Sequence, residues 1–481
     1  QVEASGDEFQ QVRISGGAFP NERLCGYSDA VFAVAMTIGA LWLKVTDEDA
    51  YTYSDPVDFL LMRLSAFYYF YFAFEVASVY WRAHVSLFCS VVYVDGMITL
   101  ANLVCLFALT FIPFCTKVLD LNVAFYSPLF FALVISCLSL GYTYIFFYAQ
   151  WNYKTLLRNA VPFDRLSIIG YLSRSIPTVF VCWLAVVWSL IPGKLGTYYP
   201  LSYVLMLLIY VTPIILARQS KRRGLNMVLQ DALEEQCFGL ARQLNLTDGV
   251  YSIVATIIIL DIPVPTSHDE MMLQIISEYK SYAAYTVCFF IIGLQWCTHH
   301  VMFSFVKRNT EWIRFLNNSS LISISLIPFA ASFAVKFNET HWGVVIFSGI
   351  ITYATSHLFV MWMCICLFGS ESVLDQSMIA SRGWMRWVIL GESLIIPVSS
   401  FLIAVMVSLE VVAFSAVVPI VLAYTFAVLL VYGILSVITY HFIPNQEKVV
   451  LHAKSVVSMT MTGGRINPDG SETDHLLRDK S

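Results

Sequence analysis

The sequence predicts an all-α polytopic membrane protein with two parallel six-helix repeats. The 481 residues are 58% hydrophobic and only 13% charged, whereas a soluble domain is about half apolar and a quarter charged. Uncharged segments such as 125–149 and 344–368 exceed the roughly 20 residues that a helix needs to cross the hydrocarbon. Motifs of the first half also recur in the same order in the second half, which indicates an internal repeat.

Apolar runs place twelve membrane-spanning helices along the chain. We expect the first six at 26–44, 59–82, 96–116, 126–150, 174–192 and 199–217, and the second six at 245–262, 280–305, 316–335, 342–368, 387–409 and 411–441. The resulting plan is a cytosolic N-terminal segment (1–22), a first repeat (23–217), a cytosolic linker (218–241), a second repeat (242–442) and a flexible cytosolic tail (443–481).

Both termini are expected in the cytosol. That side of the membrane would hold 22 of the 28 Lys and Arg residues, and positive charge favours the cytosolic side. The chain begins with a polar segment and shows no cleavable signal peptide, so we expect the first span to act as its own insertion signal.

The first helix of each repeat opens with the same motif. An Arg precedes an Asp by six residues, and a hydroxyl residue stands directly before the Asp. We interpret each Arg and Asp as a basic–acidic pair that either caps the helix start or forms a hydrogen-bonded collar around it. The motif positions are Arg23, Tyr27, Ser28 and Asp29 in the first repeat, and Arg242, Leu246, Thr247 and Asp248 in the second.

The second span of each repeat carries a matched Trp-x-x-His. These residues are Trp81 and His84 in the first repeat, and Trp296 and His299 in the second. We expect them to reach the level of the Arg–Asp motif and support it. A histidine there could respond to pH, although we favour a histidine held by a fixed partner. The third spans also match, with Asn102 and Pro113 corresponding to Asn317 and Pro328 at the same spacing of eleven.

A helical stripe after each Asp has the same chemistry in both repeats. It reads small, β-branched, Thr, Leu, and comprises Ala30, Val34, Thr37 and Leu41 in the first repeat, and Gly249, Ile253, Thr256 and Leu260 in the second. Small residues allow close helix approach, and a ring of branched aliphatic side chains can stop flow by dewetting. The stripe predicts either the lining of a pore, with Val34 and Ile253 at its constriction, or ordinary helix packing.

Several classes of protein are disfavoured. The sequence has no Gly-rich phosphate loop, His-Glu-x-x-His or Gly-x-Ser-x-Gly, so we expect no enzyme. We expect neither a cofactor nor a metal, since Cys364 and Cys366 lie in an apolar run without partner ligands. The net charge of −5 and the lack of a long basic tract do not support a nucleic-acid partner.

The tail contains a short motif of the dileucine type. Glu472 precedes the pair Leu476 and Leu477 by four residues in a polar segment. This pattern is similar to sorting signals for endosomes and lysosomes, and it also occurs by chance.

The doubled Arg-x-x-x-aromatic-Ser-Asp type of entrance, paired with Trp-x-x-His, resembles the transmembrane protein 175 family of endosomal and lysosomal potassium channels. The resemblance covers about residues 20–442. The family's Phe-Ser-Asp is here Tyr27-Ser28-Asp29 and Leu246-Thr247-Asp248, so both copies depart at the aromatic position or beyond.

The resemblance implies a homodimer in the lipid bilayer, with the first helix of each repeat lining one central pore. It places Val34 and Ile253 at the narrowest point. It further implies potassium conduction in endosomal and lysosomal membranes, proton conduction when the lumen is acidic, and regulation by a cytosolic kinase complex.

Two other function classes stay open. One is a proton-coupled solute transporter with parallel six-helix repeats, and the other is a non-conducting scaffold. A transporter would normally place acids along its route, but Glu75 and Glu392 are not matched between the repeats. A scaffold gives no reason to duplicate a polar helix entrance.

Overall fold

The computed structural model describes residues 18–190 and 240–408, with gaps at 54, 122–125, 158–160, 164, 266–269, 308, 338–340, 370–372 and 374–382, and a few positions between 423 and 431. The predicted sixth and twelfth spans, most of the linker and the tail with its dileucine-type motif lie outside the described residues. The chain divides into two compact units, Gln1–Phe426 and Ala427–Ser481, and the helices named below belong to the first.

The described part of the first half is helical apart from a short strand pair. Its helices are α1 (Glu22–Thr37), α2 (Asp47–Thr52), α3 (Pro56–Met62), α4 (Leu64–Ser90), α5 (Gly96–Asp120), α6 (Tyr126–Trp151), α7 (Tyr153–Leu156) and α8 (Arg165–Ser189). A 3-10 turn, Ile38–Leu43, continues α1.

The described part of the second half has corresponding helices. They are α9 (Leu240–Ile257), α10 (Met271–Ser277), α11 (Tyr279–Ser304), α12 (Glu311–Ile324), α13 (Ile327–Lys336), α14 (His341–Phe368) and α15 (Gly383–Ser408). A 3-10 turn, Ile258–Asp261, continues α9 as its counterpart continues α1.

Among the described residues, eight helical segments are long and apolar enough to cross a membrane. A ninth is added if α3 and α4, which meet at an angle of 50°, count as one span. The prediction of a mostly helical chain with many candidate spans is therefore confirmed. The twelve-span layout in two repeats stays a prediction.

Helix α4 runs eight residues past its predicted end at 82. The helix continues past Arg82 because its next turns still bury one face. Trp81, His84, Val85 and Phe88 are buried at helical spacing, and α4 packs there against α1.

The predicted span at 316–335 consists of two helices, α12 and α13, separated by Ser325 and Leu326. Pro328 has no N–H to donate to the carbonyl of residue 324, so a regular helix cannot pass this point without losing a bond. The hydroxyls of Ser323 and Ser325 donate to carbonyls of their own helix, which supports its last turn.

A two-stranded antiparallel pair holds the start of α1 in place. β1 (Phe19–Pro20) pairs with β2 (Tyr93–Val94), which lies between α4 and α5. The side-chain amide of Asn21 donates to the carbonyls of Phe88 and Val91 at 2.7 and 2.6 Å. These bonds tie the first helix of the first repeat to the end of α4.

Candidate functional site

The first helices of the two repeats lie side by side. α1 packs against α4, α5 and α9, whereas α9 packs against α1, α11 and α12. Each first helix thus contacts the second and third spans of its own repeat and also contacts its counterpart.

A buried ion pair joins these two helices. Arg242 of α9 donates from Nε and from a terminal nitrogen to the two carboxylate oxygens of Asp29 in α1, both at 2.6 Å. Trp81 of α4 donates its indole N–H to the same carboxylate at 2.9 Å. The Asp29 side chain is only 1% exposed, so its charge is neutralised by a partner from the other repeat.

This pairing corrects the interpretation of each motif as a basic–acidic pair within one helix. Arg242 contacts Asp29 rather than Asp248. The interpretation of the acids as N-terminal caps is also wrong, because α1 begins at Glu22 and Asp29 lies seven residues inside it. Six residues separate Arg from Asp, which is less than two turns of helix, so the two side chains of one motif lie at different heights.

His84 forms a further hydrogen bond to the arginine of the ion pair. A terminal nitrogen of Arg242 lies 3.2 Å from Nδ1 of His84. A guanidinium offers only donors, so Nδ1 must accept and the imidazole is neutral with its proton on Nε2. Nε2 then donates to Asn102 Oδ1 at 3.1 Å, and the Asn102 amide donates to Ser28 at 2.9 Å.

The second repeat builds the same network around its own first helix. Trp296 donates to Asp248 at 2.7 Å. His299 meets the Asn317 carbonyl oxygen at 2.8 Å, and the Asn317 amide donates to Thr247 at 3.0 Å. Each histidine also stacks on the aromatic ring four residues later, with centroids 4.3 Å apart for Phe88 and 4.2 Å for Phe303.

One element of the network is missing from the second copy. Asp248 is exposed and forms no ion pair with any other described residue. Arg23 is exposed as well and likewise has no acidic partner in the described part of the chain. The hydrogen-bonded networks of the two copies therefore differ at the arginine: the first carboxylate and its histidine contact Arg242, whereas no arginine contacts the second carboxylate in the described part of the chain.

The stripe residues fall at different depths in the two repeats. Ala30 and Val34 are exposed, Val34 by 40%, whereas Thr37 is 1% exposed. In α9 the order is reversed, with Gly249 and Ile253 half-buried and Thr256 exposed. Leu41 is half-buried and Leu260 is 62% exposed.

Neither stripe threonine offers a free hydroxyl hydrogen. Thr37 donates to the carbonyl of Ala33 at 2.8 Å, and Thr256 donates to that of Ser252 at 2.9 Å. Each hydroxyl oxygen can still accept a bond or contact a cation.

A glycine sets the spacing of the two first helices. A Cβ added at Gly249 would lie 2.8 Å from the Cβ of Ala33, which is closer than two carbon atoms can approach without a shift. The helices therefore contact each other through small residues, as expected for close helix pairs in membranes.

The opposite ends of the two helices are also joined. Lys44 lies 2.6 Å from the carboxylate of Asp261 and donates to the carbonyl of Leu260 at 3.1 Å. We did not predict this pair, since neither residue has a counterpart in the other repeat. Its only signal in the sequence is that one predicted first span ends with a base and the other ends next to an acid.

The aromatic position of the motif is occupied differently in the two repeats. Tyr27 is 55% exposed, whereas Leu246 is 2% exposed. The two positions therefore serve different packing environments, in keeping with the departure of both copies from the family's Phe.

Glu75 forms a bond between the repeats. It accepts from the side-chain amide of Asn318 at 3.1 Å, and Asn318 accepts from Ser78 at 2.9 Å. A cavity of about 20 Å³ lies beside these residues, which suits a water molecule rather than a solute. Glu392 has no described side chain.

Known proteins are similar to this chain in the regions that contain the two networks. The model of the family "Endosomal/lysosomal potassium channel TMEM175" matches residues 23–113 and 242–328, the beginning of both repeats. An endosomal/lysosomal proton channel TMEM175 of Gallus gallus is 27% identical over 395 residues, covering 75% of this chain and 77% of the relative. The protein of the same name from Homo sapiens is 26% identical over 386 residues, covering 73% and 74%.

A shorter relative matches part of the chain. A potassium channel of Streptomyces collinus is 30% identical over 122 residues, covering 24% of this chain and 59% of its own length. The resemblance inferred from the motifs is thereby confirmed, and the proteins that share it are named as channels rather than enzymes.

Proposed function

Since this chain is a relative of the TMEM175 channels in both of its repeats, we propose that it is a cation channel of endosomal and lysosomal membranes. It conducts potassium ions and, when the lumen is acidic, protons. Relatives named as proton channels and relatives named as potassium channels support both ions.

The observation that carries the proposal is the matched pair of networks around α1 and α9. Buried charge in a membrane protein is costly and typically marks a functional pathway. Here the charge is used to fix two equivalent helices side by side, with Asp29 and Arg242 as the link. Rigid placement of both helices is what a constriction of fixed width requires.

The conduction pathway runs along the stripe of these helices, with Val34 and Ile253 at its narrowest point. Two copies of the chain supply four first helices around one pore, and both termini lie in the cytosol. Branched aliphatic side chains make a neck that conducts only when it is wet.

The test replaces the apolar neck by a polar one. Ile253→Asn keeps the neck hydrated, so we expect higher flux and a weaker preference for potassium over sodium. Each tenfold rise in flux corresponds to about 1.4 kcal/mol removed from the barrier. The measurement is flux into liposomes containing the purified protein, with potassium, sodium and proton gradients imposed in turn.

Ile253→Leu is the matched control, because it retains an apolar side chain of the same volume and should conserve both flux and selectivity. Unchanged flux and selectivity in Ile253→Asn would remove Ile253 from the pathway. Flux that saturates with a second solute and stops in its absence would favour the transporter class instead.

A further inference from the structure

A short helix precedes the second span in each half of the chain. α3 precedes α4 and α10 precedes α11, and a single residue outside the helices, Arg63 or Glu278, separates the two members of each pair. α4 has 27 residues and α11 has 26, so each is about 40 Å long and alone exceeds a hydrocarbon layer of about 30 Å. The short helices are therefore not needed for the crossing.

The two short helices carry the same exposed apolar pattern, spaced i, i+4 and i+7, whose third member is the first residue of the span. A shift of 215 residues superposes the Trp-x-x-His motifs of the second spans, and it also superposes these two patterns. All six side chains are between 36% and 70% exposed. They are Val57, Leu61 and Leu64 in the first half, and Met272, Ile276 and Tyr279 in the second. Single exposed apolar residues are ordinary, but a pattern present in both repeats indicates an interaction surface.

The side of α3 opposite to this pattern is packed against the second repeat. Phe59 is fully buried, and its ring centroid lies 6.1 Å from that of Phe333 in α13 and 5.6 Å from that of Phe337 at the end of α13. Arg63 donates to both carboxylate oxygens of Asp49 at 2.8 Å. These contacts fix the orientation of α3 and leave its apolar pattern facing away from the chain.

α10 lacks such a packed side. None of its seven residues is buried. A helix of this length gains too little from its own hydrogen bonds to be stable in water. Its stability therefore requires a surface that the described part of the chain does not supply.

We propose that both short helices lie in the interface of the lipid bilayer, with the six apolar side chains in contact with acyl chains. The inference rests on the proposed membrane topology, in which the leaflet is the lumenal one, and it goes beyond the proposed conduction. Short amphipathic helices bind membranes in this way when one face is apolar and the other polar. In this arrangement, lipid holds the segment between the first and second spans of each repeat at the membrane surface.

Lipid fits this surface better than a second copy of the chain. Each short helix is joined to a span by one residue, so the connection already places it at the membrane boundary. Tyr279 and Tyr282 are exposed where α11 begins, and tyrosine is typical of the headgroup level. The two patterns share hydrophobicity but not shape, since one reads Val, Leu, Leu and the other Met, Ile, Tyr. Acyl chains adapt to either shape, whereas a protein groove would have to differ for each.

Photo-cross-linking identifies what covers the pattern. p-Benzoylphenylalanine takes the place of Leu61 or Met272 in the full chain, which is reconstituted into phosphatidylcholine liposomes and irradiated, and mass spectrometry of the intact protein reads the adducts. We expect both proteins to gain the mass of a phospholipid several times more often than a control with the same group in place of Thr52, which is exposed at the end of α2. Equal lipid adducts at all three positions would overturn the inference. Cross-linked dimers without lipid adducts would also overturn it, in favour of a second copy.

Radical footprinting tests the same contact in the unaltered chain, so it does not depend on the folding of a variant. Hydroxyl radicals generated in water should oxidise Met272 in liposomes several times more slowly than in a proteolytic peptide that contains it, because lipid shields a side chain that the chain itself leaves exposed. Equal rates would show that water contacts Met272 and would overturn the inference. Neither measurement reads ion flux, so a loss of this contact would leave the proposed channel standing, and the reverse.

Discussion

At the scale of single residues, we expect the Asp29–Arg242 pair to have a large effect on the stability of the fold. Both charges are largely withdrawn from water, with side-chain exposures of 1% and 16%. Removing one partner of a buried pair costs about 3–5 kcal/mol, because the other charge is left without compensation. Removing both at once is cheaper than the sum of the two single changes.

We therefore expect Asp29→Ala to lower the yield and the thermal midpoint of the solubilised protein strongly, and the current with them. Asp29→Ala combined with Arg242→Met should recover part of the lost stability. Asp120→Asn is the control, since its partner Lys117 lies 2.9 Å away in a pair that is partly open to solvent, and such pairs contribute about 0–1 kcal/mol. Equal losses for Asp29→Ala and Asp120→Asn would contradict a central role for the buried pair.

The residues of this site were largely predictable, but their pairing was not. The duplication revealed the Arg, Asp, Trp and His residues, because the same spacing of the same residue types rarely occurs twice in one chain by chance. The partner of Asp29 was hidden, since Arg23 and Arg242 are equivalent in the motif and only the packing of α1 on α9 selects Arg242. Asn21 is not repeated in the second half of the chain, so the duplication did not reveal it. Its role in holding the start of α1 became clear only from its bonds to the end of α4.

At the scale of elements, the distance between α1 and α9 depends on Gly249. An added methyl group there would overlap Ala33, and overpacking of this kind costs about 1–3 kcal/mol. A helix interior gains about 1 kcal/mol from Gly to Ala by propensity, so the two effects oppose each other. A second helical glycine without close neighbours is needed as a control, because it reports the effect of helix propensity alone.

We expect Gly249→Ala to be less stable than Gly293→Ala, because a Cβ at Gly293 meets no atom within 4 Å. Adding Ala33→Gly to Gly249→Ala removes the overlapping methyl group and exchanges the two propensities, so most of the lost stability should return. Thermal midpoints of these three solubilised variants and of the unaltered chain check this. If Ala33→Gly adds its own loss instead of restoring stability, the two helices do not approach through this contact.

Helix positions were predicted better than helix continuity. The hydropathy of the spans located α5, α6, α11 and α14 to within a few residues. It could not show the break between α12 and α13 at Pro328, since α5 runs unbroken through the matched Pro113, nor the extension of α4 beyond Arg82. Hydropathy averages over a window, whereas a single backbone bond or one buried face decides where a helix stops.

At the scale of the whole molecule, we expect conduction and delivery to depend on separate parts of the chain. The conduction pathway proposed above lies within the repeats, whereas the motif of Glu472, Leu476 and Leu477 lies in the polar tail. A sorting signal of this type acts as an address that other proteins recognise, so changing it should alter where the channel resides and leave its conduction intact.

Leu476→Ala combined with Leu477→Ala should therefore move tagged protein from endosomes and lysosomes to the cell surface, while the flux per reconstituted molecule stays unchanged. The neighbouring change His475→Ala leaves the acidic residue and both leucines in place, so it should leave the distribution as it is. Fluorescence microscopy against endosomal, lysosomal and surface markers reads the distribution, and liposome flux reads the conduction. If the double variant stays in lysosomes, the address lies elsewhere in the chain, whereas a loss of flux would show that the tail contributes to the conducting structure itself.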